Sequence, residues 1–140
     1  TPNAVREHGE EPKFLKVETP ARLLGSITAL VRSELNEIDS GTLAVITPEQ
    51  YVKPLSESFK ASSIEHGLVD DGALTSQVTI VPVDLVKGLE IDIAIVIEPS
   101  EILHSATNGE RSLYVALTRA TRRLLILHAD DLPEVLQATE

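Results

Sequence analysis

Ile91-Asp92-Ile93-Ala94-Ile95-Val96-Ile97 is apolar at every position but one. A half-buried strand alternates apolar and polar side chains, because successive residues point to opposite faces. This stretch does not alternate, so both of its faces must be covered, the condition of a central strand in a parallel sheet. Thr42-Leu43-Ala44-Val45-Ile46, Val78 to Val83 and Leu124 to His128 share that character. Pro82 marks the end of its strand, since proline donates no ladder hydrogen bond. Phe14-Leu15-Lys16-Val17-Glu18 is a shorter strand candidate.

Helical patterns fill the intervals. Thr19 offers an N-cap and Pro20 suits the first helical position. Leu23, Ile27, Leu30, Val31, Leu35 and Ile38 then recur at helical spacing until Gly41 ends the unit. Thr47, Pro48 and Gln50 repeat the cap, the first-turn proline and a capping-box partner. They predict a helix to about Phe59, kinked or restarted at Pro54. Ser62 to Gln77, with Gly67, Asp70, Asp71 and Gly72, reads as a connecting loop with a short strand at its end. Glu110 to Thr121 predicts a helix, and Pro133 to Ala138 a terminal one. Strands alternating with helices predict an α/β fold: a mostly parallel sheet with helices on both faces. Ligands bind such sheets beyond the carboxyl ends of the strands. The segments after Ile46, Val83 and Ile97, and the one before Arg111, are therefore the places to look.

Composition narrows the function. The chain has 140 residues, 42% hydrophobic and 24% charged, which is globular rather than disordered. Residues 1–13 read as a linker or frayed leader, and 14–140 as one domain. Zero Cys excludes a disulfide framework, a thiolate metal site and a cysteine nucleophile. No apolar run approaches the ~20 residues of a membrane span, and no signal peptide opens the chain, so a cytoplasmic protein without a membrane partner is expected. Lys+Arg 12 against Asp+Glu 22 gives −10, a field that repels nucleic acid. His8, His66, His104 and His128 lack metal spacing, and Asp70-Asp71 and Asp130-Asp131 read as turn residues, so no metal site is expected. Few aromatics argue against a base-stacking platform, and the Tyr114 ring is expected in the core. With no Met even at its start, the chain is expected to be a monomeric piece of a larger protein.

Two segments carry chemistry. In Val83-Asp84-Leu85-Val86-Lys87-Gly88-Leu89-Glu90-Ile91-Asp92, glycine lets the backbone approach a ligand and lysine supplies a point charge, a combination suited to an anion. Glu90 accepts hydrogen bonds only, which suits a sugar hydroxyl. An ordinary charged turn accounts for the same residues. In Arg111-Ser112-Leu113-Tyr114-Val115-Ala116-Leu117-Thr118-Arg119-Ala120-Thr121-Arg122-Arg123, helical spacing puts Leu113, Ala116, Leu117 and Ala120 on one face. Arg111, Arg119 and Arg122 fall opposite, either as a solvated stripe or as guanidinium groups poised for a phosphoryl group.

Lys87-Gly88-Leu89-Glu90 before an apolar strand resembles motif V of superfamily 1 helicases of the UvrD/Rep type. Leu113 to Ala120, followed by Arg122-Arg123-Leu124, resembles motif VI of the same family, in the right order and with a strand and a loop between. The resemblance spans about Val78 to His128. It implies the second, C-terminal RecA-like domain, a three-layer α/β fold that helps bind ATP with Mg. Arg119 would be the arginine finger, a device contributing about 10³–10⁵ in turnover. Glu90 would hold the ribose, Gly88 would line the nucleotide and Lys87 would sit near the phosphates or the partner domain. Asp84 stands where the family has a motif V His that couples ATP to the bound strand, and Arg122 is a further coupling candidate. Thr47-Pro48-Glu49 stand where the family has a second phosphate-sensing arginine. With the Leu127-to-Pro133 ending, these departures resemble the helicase IV branch, including HelD-type factors that act on RNA polymerase.

No Gly-x-x-x-x-Gly-Lys-Ser/Thr loop and no magnesium-binding Asp-Glu pair occur. The chain is therefore expected to hold half an active site, inactive until a P-loop domain of the same parent completes it. DNA is the expected partner through that parent, with RNA polymerase as the other candidate. Two alternatives are a non-catalytic α/β interaction module and a free-standing flavodoxin-like phosphate-binding domain.

Overall fold

In the computed structural model, which describes residues 12–38, 40–69, 76–105, 108–133 and 136, the central strands have no exposed face. Leu43, Ala44, Val45 and Ile46 are all fully buried. The strands are β1 (Lys13–Lys16), β2 (Leu43–Thr47), β3 (Gly67–Leu68), β4 (Val78–Pro82), β5 (Ile91–Ile97) and β6 (Ala120–His128). They form one sheet in the order β1-β6-β5-β2-β4-β3, and every neighbouring pair is parallel.

Alternate residues feed two separate cores. Ala44, Ile46, Ala94, Val96, Leu124 and Ile126 face one side. Leu43, Val45, Ile93, Ile95, Leu125 and Leu127 face the other. The first core is closed by α3 (Pro99–Ser105) and α4 (Gly109–Leu117), through Ile102, Leu113, Ala116 and Leu117. The second is closed by α1 (Leu23–Glu37) and α2 (Val52–Ala61), through Leu23, Ile27, Val31, Leu55 and Phe59. The result is the expected three-layer, RecA-like α/β architecture. No described helix is long and apolar enough to cross a membrane.

The helix ends depart from the sequence expectations for local reasons. A 3-10 turn at Pro20–Arg22 precedes α1, and Thr19 caps it without a side-chain hydrogen bond. A second one, Glu49–Tyr51, precedes α2. Pro54 thus falls in the first turn of α2, where an N–H has no partner to lose, and it neither kinks nor restarts the helix. No capping box forms: the Thr47 hydroxyl donates to the Pro48 carbonyl at 3.2 Å, and the Gln50 amide reaches Glu101. The short strand expected at the end of Ser62–Gln77 is β3, nearer its middle, and residues 70–75 lie outside the described ones. Helix α3 was not anticipated.

The helix expected to reach Thr121 stops at Leu117. There the Thr118 hydroxyl donates to the Val115 carbonyl at 3.0 Å, and Ala120 already pairs with Ile91. Lys13, read as leader, belongs to β1, while residues 1–11 and most of 133–138 lie outside the described residues.

Candidate functional site

β4 ends at Pro82 and a 3-10 turn, Val83–Leu85, follows it, so Asp84 is exposed at the carboxyl edge of the sheet. Val86 and Leu89 then turn inward beneath α4, while Lys87, Gly88 and Glu90 stay exposed. Gly88 has φ +85° with open space where a Cβ would stand, so its glycine is required by conformation rather than by crowding. A connection between parallel strands must return the length of the sheet. By Glu90 the chain has reached the amino edge, where β5 begins. The carboxyl-edge expectation therefore holds for Asp84 and fails for Glu90.

Arg119 lies in the turn from α4 into β6, also at the amino edge, and is half-buried. Its Nε donates to the Val115 carbonyl at 3.2 Å and its Nη2 to the Thr118 hydroxyl at 3.3 Å. Its own carbonyl accepts the Ile91 N–H at 3.3 Å. That hydrogen bond sets the Glu90–Ile91 and Arg119–Ala120 backbones side by side. The structure thus brings Glu90 and Arg119 together and leaves Asp84 at the opposite end of the sheet.

The expected arginine stripe does not exist, because the helix that would carry it ends early. Arg111 lies in α4, Arg119 follows the helix and Arg122 is in β6. Adjacent Arg122 and Arg123 are sorted differently. Arg123 Nη1 donates to Glu34 at 2.7 Å and to Glu37 at 3.4 Å, which ties β6 to α1. Arg122 is exposed.

Asp92 closes the first of the two segments, without a role of its own there; its one signal is being the lone charge in β5. Oδ2 accepts the Thr42 N–H at 2.8 Å, and Oδ1 accepts the Thr121 hydroxyl at 3.5 Å. The Asp92 N–H donates to the Thr42 hydroxyl at 3.1 Å. Asp92 therefore clasps the starts of β2, β5 and β6. Gly41, at φ +116°, passes so close that a Cβ would stand 2.7 Å from Asp92 Oδ2.

The carboxyl edge holds a second polar cluster. Glu98, 1% exposed and at φ +48°, accepts the Ala129 and Asp130 N–H groups at 3.1 and 3.3 Å. Burial pushes its carboxyl above the ordinary value of 4.5, against the lowering effect of those N–H donors. Glu101 accepts the Tyr51 hydroxyl at 2.5 Å and the Gln50 amide at 2.8 Å. Burial, then the Glu101 contact, pushes the Tyr51 phenol up. Carboxylate oxygens of Glu98, Glu101 and Asp130 come within 4.8 Å of one another. Protein donors already engage Glu98 and Glu101, so the cluster acts as a clamp between the 3-10 turn before α2, α3 and the segment just after β6. Sequence spacing could not reveal it, because its members come from separate segments.

Tyr114, expected in the core, is 62% exposed on the outer side of α4, which packs against the turn bearing exposed Leu85. A cleft of about 940 Å³ is lined by Arg32, Lys60 and His66 among others, and neither Glu90 nor Arg119 lines it.

No protein-family model matches the chain, and no curated protein does. Solved structures do. The C-terminal domain of a possible DNA helicase from Lactobacillus plantarum WCFS1 superposes with TM-score 0.72 at 22% identity, over 93% of this chain and 81% of that one. Arterivirus nonstructural protein 10, a helicase in complex with DNA, gives 0.59 at 10% identity, over 85% of this chain and 28% of that one. The UvsW helicase from bacteriophage T4 gives 0.58 at 15% identity, over 84% of this chain and 46% of that one. At these identities the likeness is one of architecture: this chain has the α/β fold found in these helicase structures.

Proposed function

We propose that this chain is the second RecA-like motor domain of an ATP-driven superfamily 1 helicase or translocase of the UvrD/Rep kind, in its helicase IV-like branch. The observation that carries the reading is the Ile91 N–H to Arg119 carbonyl hydrogen bond, which joins the two motif-bearing segments at one edge of the sheet. Exposed Lys87 and Glu90 and the half-buried Arg119 supply cations for phosphate and an acceptor for a ribose hydroxyl. These residues fit ATP as an open half-site. Mg and the β- and γ-phosphates would be gripped mainly by a P-loop domain of the parent, and ATP supplies the phosphoryl transfer that drives the cycle.

In this reading Arg119 is the catalytic residue. It leaves the Val115 carbonyl and the Thr118 hydroxyl for the γ-phosphate when the two domains close. Lys87, Gly88 and Glu90 bind the nucleotide, and Asp84, at the far edge, relates the cycle to the nucleic acid. DNA is the favoured substrate, in line with the DNA bound to one helicase of similar fold. In the full-length protein, Arg119→Ala should lower ATP turnover by about 10³-fold or more; near-normal turnover overturns the assignment.

One observation favours a second reading, a non-catalytic interaction module such as an RNA polymerase-binding factor would carry. The Arg119 guanidinium turns back on its own helix end. The same substitution separates the two, since a module would lose stability rather than turnover.

A further inference from the structure

We propose that Arg122 is a second phosphate-contacting residue of the nucleotide site, presented by a β-bulge that Asp92 holds in place. The inference rests on the motor reading and extends it to a residue beyond the expected finger.

The sheet slips register at one point along β5 and β6. Ile91 pairs with Ala120 but Ile93 pairs with Arg123, so Thr121 and Arg122 together face Asp92. Such a bulge re-aims a side chain and is common beside functional sites. Without the extra residue, alternation along β6 would set the charges differently from Arg119 onward. Asp92 fixes the distortion by accepting from Thr42 and Thr121, while Thr121 also donates to the Ile91 carbonyl at 3.3 Å.

That arrangement leaves the Arg122 guanidinium exposed at the amino edge of the sheet. Its Nη1 lies over Gly41, 3.5 Å from where a Cβ would stand, and the glycine keeps that space clear. Asp92 spends its oxygens on neutral donors, and among the described residues no carboxylate comes within the 4.0 Å of an ion pair with Arg122. Neighbouring Arg123, by contrast, is held by two glutamates. A guanidinium forks onto phosphate oxygens, and this one stands one bulge from the Ala120–Ile91 pair that adjoins Arg119 and Glu90.

The test uses the full-length protein with Arg122→Ala and Arg122→Lys. ATP turnover is measured with and without DNA, and DNA affinity across a salt series. Loss of a charged phosphate contact should lower kcat/KM for ATP by about 10- to 100-fold in Arg122→Ala. Arg122→Lys, a point charge unable to fork, should recover part of it, while DNA affinity and its salt slope stay unchanged. Arg122→Lys also keeps the side chain over Gly41, so the test survives if the alanine variant fails to fold. Unchanged ATP kinetics in both variants overturns the proposal. So does a DNA salt slope reduced by about one with ATP turnover unaltered in the absence of DNA, which would make Arg122 a nucleic-acid contact. If Arg119→Ala abolishes turnover and the Arg122 variants do not alter it, only this inference fails. If Arg119→Ala is near normal, the motor reading itself fails.

Discussion

Glu98 combines deep burial, a carboxylate and a left-handed backbone, and burial dominates its titration. A carboxyl raised in the folded state favours the protonated form there. The stability it contributes is fully present below its ordinary value of 4.5 and is lost as pH rises through the raised value. Glu98→Gln keeps an acceptor for the Ala129 N–H and removes the charge. Melting curves across that window should show wild type losing stability relative to the variant as pH rises. A constant difference between the two would acquit Glu98. Gly88 makes a simpler case. Its φ of +85° strains any L-residue even though a methyl group would meet nothing, so Gly88→Ala should cost about 1–2 kcal/mol in urea unfolding. A cost near zero would mean that the turn relaxes freely.

Among the elements, β6 is tied down on both sides by different means. On one side Arg123 reaches α1, where Glu34 is nearly buried and Glu37 is largely exposed. Removing the buried partner should cost about 1–3 kcal/mol, and removing the exposed one under about 1 kcal/mol. Comparison of Glu34→Ala with Glu37→Ala by chemical denaturation checks the order, and equal losses would contradict it. On the other side α4 lays Leu113, Ala116 and Leu117 on the sheet, as their spacing predicts. Ala120 continues that spacing but belongs to the strand. Helical periodicity and strand pairing both accept Ala120, and the long-range pair with Ile91 decides, which is why the helix end was misplaced and the arginine stripe with it.

At the scale of the molecule, Lys87, Glu90 and Arg119 stand on the surface rather than inside a closed pocket. The isolated chain should therefore show no ATPase activity and very weak nucleotide binding, and adding a P-loop partner domain should restore both. Micromolar ATP affinity in calorimetry of the chain alone would contradict the half-site reading and favour a free-standing phosphate-binding domain. The two cores argue that the layers themselves are robust. Phe59 is wholly buried between α2 and the sheet, and its truncation to alanine is a cavity of the kind that costs about 3–5 kcal/mol.

The amino-acid order by itself determined the layers. Strands apolar at consecutive positions have to be covered twice, and that requirement is local, readable from Leu43 to Ile46 or Ile91 to Ile97 without knowing their neighbours. The motif resemblance singled out Glu90 and Arg119, and the fold then set their backbones side by side. Tertiary structure alone decided which edge each charge occupies, that Arg123 is spent on α1 while Arg122 is left exposed, and that Asp92 clasps three strand starts. Those outcomes depend on crossover direction and on a one-residue slip in register. Both are fixed by pairing between segments far apart in the chain, where composition and spacing carry no information.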